Sequence, residues 1–138
     1  MTQKDPIFGL CDQVREASFA LHCFLRHGHK ENIYERGLMH RLHKMGVRAE
    51  QQVPLQVRDQ DGTVLGNLEV DLLIAEELIV EIKACRALAP EHTAQLLGYL
   101  RVCRKEHGLL INFGAPKLEI RKYALSQELP EAPQLSAL

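Results

Sequence analysis

Apolar residues recur at spacings of four, three, four and three across Leu10, Val14, Ala17, Leu21 and Phe24. That is one face of a 3.6-residue period, and it predicts a helix over 10–26. Gly28 breaks the pattern. A second helix is expected over 31–45, with Tyr34, Leu38, Leu42 and Met45 as its inward stripe and Gly46 as its stop. The period then changes to two. Residues 52–57 read as a strand in which Pro54 marks an edge position or a bulge, and Asp61-Gly62 signals a turn. Leu68, Val70, Leu72 and Ile74 alternate with Asn67, Glu69, Asp71 and Leu73 in a second strand. Leu78, Val80, Ile82 and Ala84 form the inward set of a third. Pro90 opens a third helix over 90–106, with Leu96, Leu97, Leu100 and Cys103 inward. A short buried strand over 109–113 and a last strand over 119–124 follow. The order helix, helix, three strands, helix, two strands predicts an α/β (α+β) domain, a hairpin-bearing sheet covered by helices.

The hairpin of the second and third strands carries the chemistry. If Ala75-Glu76-Glu77 is a three-residue loop, Ile74 faces Leu78 and every cross-strand pair sums to 152. Asp71 then stands opposite Glu81, and Glu69 opposite Lys83. Leu68, Val70, Leu72, Ile74, Leu78, Val80 and Ile82 share the other, buried face. Opposed side chains have Cβ atoms ~4.5 to 5.5 Å apart. Two carboxylates so placed repel, and a fold tolerates this mainly where a proton or a cation belongs. A hard divalent ion with oxygen ligands is the natural occupant. Lys83 lies two residues from Glu81 on the same face, within reach of a bound anion or water.

Composition narrows the class. The chain has 138 residues, 46% of them hydrophobic and 25% charged, which suits one compact domain and excludes disorder, collagen and coiled coil. We expect a single domain over 1–126 and a C-terminal tail over 127–138. No run approaches the ~18 to 20 apolar residues of a membrane span, and MTQKDPIFGL lacks a secretory pattern, so a soluble cytoplasmic protein with no membrane partner is expected. Cys11, Cys23, Cys85 and Cys103 form no C-x-x-C pair and are expected to be buried, reduced thiols. Net charge is −1, but unevenly spread. Residues 26–48 hold six Lys/Arg against two Asp/Glu, residues 84–123 seven against three, and residues 50–83 two against eight. Either a cationic rim surrounds an acidic centre, or the helices simply present solvated faces.

Asp71, then Glu81-Ile82-Lys83, resembles the D…E-x-K signature of the PD-(D/E)XK nuclease superfamily. Gly28-His29-Lys30-Glu31-Asn32-Ile33-Tyr34 resembles the G-x-x-E-x-x-Y motif of its GxxExxY family. Glu50-Gln51-Gln52-Val53-Pro54-Leu55, Gln95-Leu96-Leu97-Gly98-Tyr99-Leu100 and Gly108-Leu109-Leu110-Ile111-Asn112-Phe113-Gly114 are similar to that family in the same order. The resemblance covers residues 10–124 and implies a restriction-endonuclease-like core, a mixed β-sheet flanked by helices. It implies that Asp71 and Glu81 hold Mg²⁺ or Mn²⁺ with the backbone carbonyl of Ile82, and that Glu31 completes the set. It assigns Lys83 to the attacking water and the phosphate, and Gln95 and Tyr99 to the lining of the site. Glu35, one turn beyond Glu31 on the same side, is the alternative carboxylate. Glu31 is also explained as a first-turn acid favoured by the helix dipole. Tyr34 belongs to the apolar stripe and reads as a core residue with a hydrogen-bonded hydroxyl.

The resemblance implies a metal-dependent deoxyribonuclease, and the alternative is a catalytically idle nuclease-like module that binds nucleic acid or protein. Base-specific readout needs an element placed in a groove, and no such appendage is visible. Cleavage without strong sequence preference is therefore expected, as an exonuclease or at particular DNA structures. Modest electrostatics in one chain argue for a homo-oligomer that turns the flanks bearing Arg101, Arg104 and Lys105 toward DNA.

Overall fold

A computed structural model describes residues 5–125, and the expected tail over 127–138 lies outside the described residues. The elements are α1 (Pro6–Leu25), α2 (Glu31–Lys44), β1 (Ala49–Arg58), β2 (Val64–Ile74), β3 (Leu78–Lys83), α3 (Pro90–Cys103), β4 (His107–Asn112) and β5 (Glu119–Ala124). They follow the expected order. The strands lie side by side in chain order, and every pair is antiparallel except β3 with β4. That one parallel pair needs a crossover, which α3 supplies. The result is a mixed five-stranded sheet between two helical layers.

Each layer buries its own cluster. On one face, Cys11, Val14, Ala17 and Leu21 of α1 and Tyr34, Leu38 and Leu42 of α2 pack on Leu72, Ile74, Leu78, Val80, Ile82, Leu109 and Ile111. On the other, Leu96 and Leu100 of α3 pack on Val70, Ile79 and Leu110. β3 and β4, covered on both faces, are almost wholly buried, as expected for the parallel centre of a sheet.

Helix boundaries differ from the periodic reading where caps decide them. α1 starts at Pro6, four residues earlier than expected, because the Asp5 carboxylate accepts from the Ile7 N–H at 3.0 Å and Pro6 fits the first turn. Ile7 and Cys11 thereby join the core, while Phe24, expected inward, is 77% exposed. Met45 is likewise exposed, at the cap of α2. Of the four cysteines, expected buried, Cys11 is buried and Cys23 is exposed. α3 stops at Cys103 rather than Glu106, since Arg104 adopts φ 56°, ψ 41°. No glycine marks that stop.

Tyr34 fulfils its reading. Its ring stacks on Phe113 at 4.8 Å, its hydroxyl donates to the Arg26 carbonyl, and it accepts from the His29 N–H at 3.1 Å. The hydroxyl thus ties down the turn at Gly28, whose φ of 114° suits glycine.

The hairpin's single buried face is corrected by the structure. Val70 lies on the α3 side and Leu72 on the α1–α2 side, although both have the same parity. In β1, Ala49 and Val53 divide in the same way. The β1–β2 ladder pairs Gln51 with Leu72 and Val53 with Val70 but skips Gln52 opposite Asp71, and Gln52 has φ 52°. Both strands turn over at that position. The irregularity falls two residues before Pro54, on a β1 that is indeed an edge strand. Glu69 therefore faces Pro54, and no pairing joins it to Lys83.

Gly114 lies against the β3–α3 connection. A Cβ there would stand 2.2 Å from the Cys85 backbone nitrogen. Gly114→Ala is expected to lower stability by about 3 kcal/mol, since backbone rather than a side chain must move. Gly98→Ala in α3, where a Cβ meets nothing within 4 Å, is expected to raise it by up to ~1 kcal/mol. Thermal melts of the two variants check the contrast.

Candidate active site

The β2–β3 hairpin turns through Ala75 and Glu76, at φ 50° and 61°, and the Glu77 N–H donates back to the Ile74 carbonyl at 3.0 Å. Its pairs are Ile74 with Leu78, Leu73 with Ile79 and Leu72 with Val80. This is the expected register, but the backbone ladder ends there. At the next position two carboxylates take its place. The Asp71 N–H donates to Glu81 Oε1 at 3.1 Å, and the Ile82 N–H donates to Asp71 Oδ2 at 2.8 Å. The strands part at these residues, each carboxylate accepting from the opposite backbone.

The pair is electrostatically loaded. Glu81 is 2% exposed. Burial first, and then the Asp71 charge, push its carboxyl up to about 8, against the opposing pull of the Asp71 N–H and of Lys83. Burial also raises the Asp71 carboxyl, outweighing the Ile82 N–H. Tyr99 is raised by burial and by the Glu81 charge.

α3 presents the rest of one wall. Lys83 Nζ donates to Gln95 Oε1 at 2.7 Å, and Gln95 Nε2 donates to the Tyr99 hydroxyl at 3.0 Å. Gln95 and Tyr99 are four residues apart, so both project from one helical face toward the end of β3. From α2, Glu31 senses both Asp71 and Lys83, and partial enclosure of its carboxylate followed by the Asp71 charge raises it. Glu35 is the more buried of the two. Its Oε1 accepts from Gln52 Nε2 at 2.7 Å, while burial raises its carboxyl above the usual range.

Asp71, Glu81, Lys83, Gln95 and Tyr99 thus converge as read from the sequence, and Ile82 reaches the pair through its backbone N–H. Glu31 stands apart. Among the described residues, no three His, Cys, Asp or Glu side chains are drawn close enough to enclose a metal. Gln52 is the site residue that periodicity missed. It sits opposite Asp71 and links the pair's surroundings to Glu35. Its signals in the sequence are the run Glu50-Gln51-Gln52, three successive polar residues that break the alternation of the strand, and its place in a stretch that resembles the GxxExxY family.

A chelator-treated protein is expected to lose stability as pH rises through about 8. The folded carboxyl of Glu81 titrates above its ordinary 4.5, so its contribution is complete below that value and is lost above the folded one. Melting temperatures of wild type and Glu81→Gln across this window check the sign. A wild-type slope no steeper than that of the variant contradicts it.

A sequence model of the PD-(D/E)XK nuclease superfamily matches residues 9–123. Among solved structures, the crystal structure of SSO0001 is similar, with a TM-score of 0.56 and 22% identity over 72% of this chain. The present chain spans 52% of that one, and at this identity the likeness concerns the fold. No curated protein matches.

Proposed function

The chain belongs to the PD-(D/E)XK nuclease superfamily, and from that membership we propose that it is a divalent-metal-dependent deoxyribonuclease. Nucleases of this superfamily hydrolyse phosphodiester bonds and use divalent metals, typically Mg²⁺ or Mn²⁺. The finer assignment to the GxxExxY family rests on Gly28, Glu31 and Tyr34 at the motif's spacing. One observation carries the reading: the buried Glu81 carboxylate against Asp71, with the Lys83–Gln95–Tyr99 chain beside it.

The donors fit a hard cation. They are carboxylate oxygens, acidic enough in number to be mutually repulsive and too buried to be screened by water. Asp71 and Glu81 would hold the ion with the Ile82 carbonyl, and Glu31 or Glu35 would close the set from α2. A cation there supplies Lewis acidity, lowering the pKa of a nearby water and polarising the phosphate. Lys83 has three donors, of which Gln95 takes one. The others are free to orient the attacking water and to meet negative charge that grows on the phosphate. Gln95 fixes the ammonium, and Tyr99 fixes Gln95.

Retention of Asp71, Glu81 and Lys83 together supports catalysis over an idle binding module. Cleavage without strong sequence preference, at ends or at particular structures, is the mode proposed. Exposed Phe8 and Phe19, eleven residues apart on one side of α1, support association of copies. Four unpaired cysteines agree with a reducing cytoplasm, and no helix among the described residues is long and apolar enough to cross a membrane. The proposed domain over 1–126, with a tail over 127–138, contains the five-stranded sheet and both clusters of the described residues.

The test is cleavage of end-labelled single- and double-stranded DNA with Mg²⁺ or Mn²⁺ and with chelator. Metal-dependent shortening of the label supports the proposal, and its product lengths over time separate end from internal cutting. Absence of cleavage of any DNA with either metal removes it.

A further inference from the structure

α3 carries more than Gln95 and Tyr99. Its C-terminal half forms one wall of a groove of about 510 Å³, and the outer end of the β1–β2 hairpin forms the other. Gln56, Arg58, Asp59, Arg101, Val102 and Arg104 line it. The turn of both strands at Gln52 and Asp71 is what brings this end of the hairpin onto the α3 side.

The groove is cationic. Arg58, Arg101 and Arg104 are exposed, and none forms an ion pair among the described residues. Asp59 is the one acid among the lining residues, and its Oδ1 accepts from the Gln60 N–H at 2.7 Å. Arg58 is held in place by donation to the Gly62 carbonyl at 2.9 Å and to Gln56 Oε1. Its remaining N–H donors are unspent. Three guanidinium groups in a concave site, one of them pre-oriented, are suited to the oxygens of successive phosphates.

The groove borders the helix that carries Gln95 and Tyr99: Val102 follows Tyr99 by three residues, one turn on the same side, while Arg101 and the cap residue Arg104 lie further round. The nine residues from Gln95 to Arg104 span ~13.5 Å at 1.5 Å per residue, the reach of a few nucleotides.

We propose that this groove is a phosphate track that holds one DNA strand leading to or from the Asp71–Glu81 pair, an inference that rests on the nuclease reading above. Arg58, Arg101 and Arg104 would grip the backbone away from the scissile bond. They are binding residues, remote from the reacting atoms, and supply affinity without base readout.

The test replaces all three cations, Arg58→Gln, Arg101→Gln and Arg104→Asn, the last because asparagine tolerates the left-handed backbone at that cap. Binding of a labelled single-stranded oligonucleotide is followed by anisotropy in chelator over a range of salt, and cleavage is followed separately with Mn²⁺. Loss of three phosphate contacts should make the slope of log K against log salt less negative by about 2. Affinity at low salt should fall at least tenfold, and KM for cleavage should rise with kcat little changed. An unchanged slope and affinity overturn the track even where the wild type cuts DNA, and so does a wild type that binds no single strand. A wild type that binds and shows the slope change yet cuts nothing supports the track and removes the nuclease reading instead.

Discussion

Lys83→Ala is expected to lower the rate of DNA cleavage by about 10²- to 10³-fold, the range for removal of one preorganised donor aimed at developing charge. Its Nζ lies 2.7 Å from Gln95 Oε1 at the half-buried end of β3, and its charge lowers both the Asp71 and the Glu81 carboxyls. An ammonium does not ligate a cation, so the variant should still bind Mn²⁺, and more tightly than wild type, because a neighbouring positive charge is gone. The same change should raise the Glu81 carboxyl further, since Lys83 is one of the groups that hold it down. Single-turnover cleavage and Mn²⁺ titration of one preparation read both quantities. A wild-type rate, or loss of the metal, removes Lys83 from the proposed role.

Asp71→Asn is expected to have the larger effect, abolishing cleavage by about 10³-fold or more, equivalent to ~4 kcal/mol of lost transition-state stabilisation. The amide oxygen can still accept from the Ile82 N–H, so the split of the strands is preserved. What disappears is one of two negative charges at a buried position. In chelator above about pH 8, where wild type must ionise Glu81 beside Asp71, the variant should melt a few degrees higher than wild type. Stability bought at the site by neutralising the pair is activity lost, the usual trade at a strained functional position. Higher melting with no cleavage supports the assignment, whereas lower melting with cleavage intact places the reaction elsewhere.

Much of this site was legible because its chemistry lies on short-range geometry. A three-residue loop and a period of two are enough to put Asp71 beside Glu81, and a spacing of four is enough to put Gln95 and Tyr99 together. What the period does not contain is the reversal at Gln52 and Asp71. Alternation alone assigns Val70 and Leu72 to one face, and only tertiary packing against α3 on one side and α2 on the other divides them. The same reversal hid Gln52 and the groove, because both depend on where the outer hairpin lies relative to α3. Helix ends were missed where a side chain or a left-handed residue sets them, as at Asp5 and Arg104. Spacing assigns Phe24 inward, but the buried stripe of α1 runs from Leu21 through His22 to Leu25 and leaves Phe24 to one side.

The central claim is that Asp71 and Glu81 together hold a divalent ion. Calorimetric titration of Mn²⁺ into wild type, Asp71→Asn and Glu81→Gln tests it most directly. Binding to wild type is expected to strengthen as pH rises through about 8, where Glu81 ionises, and to be absent from both variants. Unchanged Mn²⁺ binding in either variant would contradict it.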